Sequence, residues 1–445
     1  LAADAESAAA VAFRPAAPQI VQPHMLMGRC RELLIDRLPD VYAGLLAAGV
    51  AEAPLSVHMP DTLADTSAWP GDERMTTLMT RRSTLDWLLL QTTLAESGVC
   101  LRRGVQVRGL VVGSGRAPHV TGVRTGDGEV GADVVIDATG RRSSVDRWLT
   151  RAGGRPSRQC RAECGLAYFS RHYRVRPGAR LPGSPATRIL AGLDEFTAGI
   201  WGADNGTLQF AVAPLAADHR FAGLRDPAVF TAVLRTLPVF AAWLDGLDPI
   251  TGVFPMAGLH NTLRRLVVDG SPVATGLLAV GDSVCTTNPT LGRGLSLAIG
   301  GAAHLADAIA VHGPTWPELA LAVDAWTAEH VTPYYADQAA LDAGRLAALR
   351  HTIFGDPAPA PAAVPPAVVT HSQLRLAARY DPAAFRGLWS IYAMIRRPED
   401  VYRDPRVVAG TLAALRGQPA AVPQPTPEQL RAALASPAAR ADQTP

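Results

Sequence analysis

The chain has 445 residues, 48% of them hydrophobic and 18% charged, which supplies a large buried core for two joined domains and excludes wholesale disorder. A net charge of +2 gives no general field for nucleic acid or an anionic membrane surface. All 42 basic residues are arginine, so no Schiff-base chemistry and no catalytic lysine is available.

The opening LAADAESAAAV carries two acids and no basic lead, unlike a secretory signal, and the Ala/Pro-rich segment to Pro23 reads as a loop. From Met25 to Ala48 the pattern predicts an amphipathic helix interrupted by Pro39 and followed by Gly49. Arg74 to Thr80 reads as a short strand, leading through Arg81-Arg82 into a helix with Leu85, Leu88, Leu89 and Leu94 on one side. Val99–Leu101, Val105–Val112, Val120–Arg124 and Val130–Asp137 read as strands separated by glycine turns. The apolar run Ala132–Asp137 has the composition of a parallel strand covered on both faces.

Between about 160 and 260 the character changes. Gly165–Val175, Ala186–Leu193, Phe196–Gly202 and Thr207–Ala213 predict an antiparallel sheet, with Asn205-Gly206 as a hairpin turn. A buried strand follows over Gly276–Val280, then a long helix from about Leu291. Beyond Trp316 the chain is mostly helical, broken by the Pro/Ala run Asp356–Pro366, and the segment after Gly417 reads as a fraying tail. No run of about 18 uninterrupted apolar residues marks a membrane span. Five cysteines (Cys30, Cys100, Cys160, Cys164, Cys285) without a CxxC pair fit a reduced, cytoplasmic protein. No His or Cys at ligand spacing accompanies Cys160 and Cys164, so a metal clip is disfavoured.

The segment Gly281-Asp282-Ser283-Val284-Cys285-Thr286-Thr287-Asn288-Pro289-Thr290-Leu291-Gly292-Arg293-Gly294 carries the strongest chemical signal. It leaves a buried strand and opens a helix. An Asp at a strand's carboxyl end can accept hydrogen bonds from a hydroxyl chain. Glycines at 292 and 294 let N–H groups at a helix start approach a ligand and favour negative charge there. A second segment, Asp137-Ala138-Thr139-Gly140-Arg141-Arg142-Ser143, also ends a strand in a glycine turn. A third, Arg82-Ser83-Thr84-Leu85, opens a helix.

These segments resemble, in order and spacing over residues 18 to about 310, the motifs of the group A flavoprotein monooxygenase clan. That clan includes aromatic hydroxylases, ubiquinone-pathway hydroxylases, squalene epoxidase and polyketide epoxidases. The GD loop is also similar to that of flavin halogenases and geranylgeranyl reductases. The resemblance implies a Rossmann-like α/β FAD-binding domain with an inserted antiparallel-sheet substrate domain and a helical C-terminus. The parts would be 1–159 (flavin domain, first part), 160–260 (substrate sheet), 261–315 (flavin domain, second part) and 316–445 (helical). It implies that Asp282, after Gly281, holds the ribityl chain, and that Pro289, Gly292, Arg293 and Gly294 line the flavin ring. It also implies that Thr139 and Gly140 stand in the central motif, that Arg82 contacts the phosphate or ribose side, and that Val107, in a strand, contacts adenine through its backbone. Arg81 could substitute for Arg82. Thr139 occupies a place where an acid is commonest, so the electron source is NAD(P)H or a separate reductase. No side chain is assigned a catalytic role.

The family's opening G-x-G-x-x-G βαβ unit, which takes about 30 residues, is not in this sequence. Leu1-Ala2-Ala3-Asp4 resembles the end of the strand that follows it, with Ala2 in the usual acid's place. The expectation is a chain beginning just after that unit and holding FAD weakly. The chemistry implied is hydroxylation or epoxidation of a lipophilic small molecule by O2 through a flavin C4a-(hydro)peroxide. His172, Tyr168, Tyr173 and Trp201 fall on the substrate sheet, with core or surface roles favoured for each. Cys285 reads as a packed residue and not as a covalent flavin link. The alternatives are a reductase of prenyl-type double bonds, or a remnant without redox activity. A halogenase is disfavoured by the lack of lysine and of a W-x-W-x-I-P stretch.

Overall fold

The computed structural model describes residues 2–14, 17–113, 118–313, 317–359, 365, 367–417 and 422–435. The chain forms two compact units. One comprises residues 1–93, 165–259 and 343–445, the other residues 94–164 and 260–342.

The first unit is built on a six-stranded antiparallel sheet, ordered Leu247–Pro249, Tyr168–Val175, Thr207–Pro214, Phe196–Gly202, Arg188–Gly192, with Phe254–Met256 also paired to Tyr168–Val175. Asn205 (φ 54°) and Gly206 (φ 64°) turn the hairpin between Phe196–Gly202 and Thr207–Pro214, the left-handed pair that a tight two-residue connection needs. Alternation then separates two faces. Phe169, Tyr173, Ile200, Phe210 and Val212 point to one side, where Phe230, Val233, Phe240 and Trp243 of helices Pro227–Arg235 and Pro238–Leu244 cover them. Leu430 and Ala433 of helix Pro427–Leu434 join this core. The segment read as a fraying tail therefore holds a helix, closed at its start by a reciprocal Thr426/Gln429 capping box. Residues 418–421 and 436–445 of that segment lie outside the described residues, as do Leu1, Trp316 and most of the Pro/Ala run.

Three further expectations need correction here. The opening segment is not all loop: it carries a helix Ala5–Ala10, whose Asp4 cap accepts from the Ser7 N–H at 2.7 Å, and a 3-10 turn Pro18–Val21. The helix expected from Met25 begins only at Gly28; its interruption at Pro39 is as expected, dividing it into Gly28–Arg37 and Pro39–Ala47, where Pro39 starts a new first turn. The strand expected over Arg74–Thr80 is confined to Thr77–Met79.

The second unit centres on two parallel strands, Val135–Asp137 and Leu277–Ala279, in the register Val135↔Leu277, Ile136↔Leu278, Asp137↔Ala279. An antiparallel ribbon, Gly109–Gly113, His119–Thr125 and Gly128–Gly131, packs Leu110 and Val120 with Val145, Leu149 and Leu277. A second sheet orders Cys285–Thr286, His260–Arg265 and Arg158–Glu163. Residues 99–108 form no strand, contrary to expectation; only Arg108 adds a ladder bond, from its N–H to the Arg124 carbonyl at 2.7 Å. Val99, Leu101 and Val105 are accordingly exposed. The expected central strand over 132–137 is likewise shorter and not covered on both faces: Ile136 is 44% exposed.

Helix Gly294–His312 is long and apolar enough to cross a membrane by length and composition. In this fold its Leu305 and Ala308 pack on Leu278 and on Leu319 and Ala320 of helix Glu318–His330.

Candidate functional site

Within the second unit, both glycine loops leave the carboxyl ends of the register-paired parallel strands, where open α/β sheets bind their ligands. The Val280 N–H still bonds the Asp137 carbonyl at 3.0 Å; beyond that point the chains diverge. The Gly140 N–H donates to the Ser283 hydroxyl at 2.8 Å, fastening one loop to the other. Gly140 (φ 81°) and Gly281 (φ 60°) are in the left-handed region that favours glycine, and a side chain at 140 would sit against the Asp282 Cβ at 3.8 Å. Thr139, Gly140, Gly281 and Asp282 are thus brought to one place, with Thr139 exposed and Asp282 half-buried.

The first loop is organised by an internal carboxylate. Asp137, 5% exposed, accepts from the Thr139 N–H at 3.0 Å, the Thr139 hydroxyl at 2.5 Å and the Ser143 hydroxyl at 2.5 Å. The Thr139 hydroxyl is committed to holding its own turn.

The second loop runs through a 3-10 turn at Pro289–Leu291, reverses at Gly292 (φ 68°), and enters helix Gly294–His312. No side chain caps that helix start, and space around Gly294 is open: a Cβ there would meet nothing within 4 Å. Among the described residues the buried Ser296 hydroxyl in its first turn and the Thr287 hydroxyl have no hydrogen-bond partner. The uncapped N–H groups and the open glycine of this helix start, near an exposed Pro289, could meet a polar or anionic ligand. Arg293 is placed differently from its neighbours. It is fully buried, donates to the Tyr334 carbonyl at 2.9 Å and pairs with Asp337, so its guanidinium anchors the loop to helix Thr332–Phe354. A second anchor was not foreseen. The buried Asp342 carboxylate accepts from Asn288 at 3.0 Å, Asn261 at 2.7 Å and Gln338 at 3.2 Å, fixing the residue before Pro289.

Cys285 is buried against this loop, and burial, with the nearby Asp282 charge, pushes its thiol up to about 12. It is a packed residue in its thiol form. Val107 lies in irregular chain two residues before its strand begins, which corrects the expectation that it belongs to the strand.

In the first unit, Arg82 begins helix Arg82–Ala95 and pairs with Asp86 one turn on, at 2.5 Å, while still partly exposed. Its neighbour Arg81 is buried and committed: the guanidinium pairs with Asp204 at 2.5 Å and with Glu6, and the Arg81 N–H and Thr84 hydroxyl also bond Asp204. Arg81 is therefore a structural anchor, and Arg82, paired with Asp86, is the more exposed cation of the two.

The second face of the six-stranded sheet carries Tyr168, Ser170, His172, Gln209, Trp201 and Arg188, set side by side by the strand registers. Tyr173 points to the opposite, apolar core. Gln209 exchanges hydrogen bonds with the His24 backbone at 3.3 and 3.0 Å. Burial, and then the Arg81 charge, lowers His172 to about 4, and among the described residues its Nε2 has no hydrogen-bond partner. Of the four residues named from the sequence only Tyr168, His172 and Trp201 lie on this face, and its other members were not legible, because register, not sequence spacing, assembles it.

The architecture defines a mixed α/β protein with the fold of FAD-dependent monooxygenases and flavin-dependent halogenases. The flavin-dependent brominase Bmp2 superposes with a TM-score of 0.59 at 16% identity, over 90% of this chain and 91% of that one. PqsL, a probable FAD-dependent monooxygenase from Pseudomonas aeruginosa, superposes with a TM-score of 0.54 at 16% identity, over 80% of this chain and 97% of that one. At these identities the likeness is one of fold. Among curated proteins, Protein Rv3254 of Mycobacterium tuberculosis is 26% identical over 329 residues, 67% of this chain. The match spans 65% of that protein's length, just under two thirds. No family model matches the chain.

Proposed function

We propose that the chain is an FAD-dependent oxidoreductase of the monooxygenase type. The observation that carries this reading is the fastening of Gly140 to Ser283, which sets Asp282 beside the central glycine turn at the carboxyl ends of two paired parallel strands. Asp282 would accept hydrogen bonds from the ribityl hydroxyls. Pro289, Gly292 and Gly294 would line the ring, and the uncapped N–H groups of the helix start at Gly294 would face the negative charge of its reduced form. Arg82 would serve the phosphate or ribose side, and the backbone at Val107 the adenine. Arg293 acts through its anchors, holding the loop in shape.

When bound, FAD supplies the capacity to activate O2 and transfer one oxygen atom to an electron-rich carbon, giving hydroxylation or epoxidation of a lipophilic small molecule. The protein's share is to hold the ring and to keep water from it. We assign flavin binding to 1–159 and 261–315, substrate binding to the sheet in 160–260, and a supporting role to the helical region from 316. Electrons would come from NAD(P)H or from a separate reductase; the Thr139 hydroxyl, bonded to Asp137, offers no acid for nicotinamide handling. The test is FAD titration followed by O2 uptake with NADPH and with a reductase system, in the wild type and Asp282→Ala. Flavin-dependent O2 consumption that the substitution abolishes supports the reading. Flavin reduction coupled to double-bond saturation without O2 would replace it with the reductase.

A further inference from the structure

Among the described residues the buried arginines are paired: Arg81 with Asp204, Arg293 with Asp337, and Arg386 with Asp72 at 2.9 Å. The less deeply placed Arg188 is not. It stands on the edge strand Arg188–Gly192, on the polar face of the six-stranded sheet, half-buried. Its guanidinium carbon lies 5.7 Å from the Trp389 ring centre and 5.1 Å from that of Tyr392. His58 stacks on the same Trp389 at 4.4 Å and 14°. Among the described residues no carboxylate or other hydrogen-bond acceptor partners Arg188. Cation–π contacts fall well short of offsetting what desolvating a charge costs. Burial accordingly lowers the Arg188 pKa, and the positive charge of Arg375 lowers it further.

Arg375, exposed on helix His371–Ala377, is also without a carboxylate partner among the described residues, and its guanidinium lies against Gly192. Gly192 shares a face with Arg188, about 13 Å further along the strand. Leu190 lies between them on that face. Trp201 lies beside Arg188 on the next strand, its ring over Gly199.

We propose that this face binds an organic carboxylate, with the carboxylate on Arg188, Arg375 at the outer end, and the apolar body along Leu190 and Trp201. A single enclosed guanidinium neutralises a monoanion and its planar fork fits a carboxylate; a dianionic phosphate would need both cations within one anion's width. Use of this ligand as the substrate rests on the flavoenzyme reading above, but its binding does not.

The experiment needs no flavin. Calorimetric titrations of the full chain with 2-naphthoate, neutral 2-naphthamide and inorganic phosphate are compared for wild type, Arg188→Gln and Arg375→Gln. The expected result is saturable naphthoate binding, at least tenfold weaker for the amide and for Arg188→Gln, and several-fold weaker for Arg375→Gln. Arg188→Gln is also expected to match or exceed the ligand-free wild-type Tm, since an unpaired enclosed charge is removed. Absent naphthoate binding, equal binding of amide and acid, preferred binding of phosphate, or a lowered Tm that marks Arg188 as packing only would each overturn the proposal. Failure of flavin binding in the same preparation leaves these readouts intact.

Discussion

The Gly140 N–H and the Ser283 hydroxyl, 2.8 Å apart, join two loops separated by 143 positions in sequence. Ser283 is 1% exposed, so this bond is shielded from water. Ser283→Ala removes the acceptor and leaves a shielded donor unmatched, which costs about 1–3 kcal/mol. Urea unfolding is expected to show that loss, and FAD titration a weaker affinity, because Asp282 is no longer held beside Gly140.

Asp204 is fully buried and gathers the Arg81 side chain, the Arg81 N–H and the Thr84 hydroxyl. Asp204→Ala leaves the buried Arg81 guanidinium with Glu6 alone, and losses of up to about 3–5 kcal/mol follow when one partner of a buried pair is removed. Thermal unfolding measures it. A change within about 0.5 kcal/mol would contradict the assignment of Arg81 as an anchor.

Thiol labelling separates the five cysteines. Cys100 and Cys160 are exposed, whereas Cys30, Cys164 and Cys285 are buried. Burial pushes Cys30 and Cys285 up to about 12, so neither offers thiolate at neutral pH. Ellman's reagent is expected to modify two thiols in the native protein and five after unfolding.

Three histidines make the first unit sensitive to acid. Burial lowers His24 and His172 to about 4 and His58 to about 3, with neighbouring arginines adding to each shift. In the unfolded chain each titrates near 6.5. The unfolded state therefore binds more protons below that value. Their contribution to stability is fully present above pH 6.5 and is lost as pH falls toward about 4, at up to about 1.4 kcal/mol per pH unit for each group. Urea midpoints at pH 7.5, 6 and 5 are expected to decline in that order. A midpoint unchanged between pH 7.5 and 5 would contradict the buried neutral imidazoles.

Much of the fold was legible because its signals are local. Asn205-Gly206, the alternation on either side of it, and Pro39 at a helix start each act within a few residues. The loops around Gly140, Gly281 and Gly292 were legible for the same reason: the left-handed backbone there asks for glycine. What long-range pairing decides was not. Choosing between Arg81 and Arg82 required Asp204, more than 120 positions away, and the role of Arg293 required Asp337. Val107 has strand composition, but the ladder begins only after it. The helix Pro427–Leu434 reads as tail by composition and is held by Leu430 and Ala433 in a core whose other buried members lie between Phe169 and Leu247.

The most direct test of the central claim is a titration of FAD into the wild type and Asp282→Ala, followed by the visible flavin spectrum. A saturable perturbation of the flavin bands is expected in the wild type, weakened at least tenfold by the substitution, with unfolding free energies within about 1 kcal/mol of each other. A flavin spectrum that the protein leaves unperturbed, or a perturbation indifferent to Asp282, would contradict it.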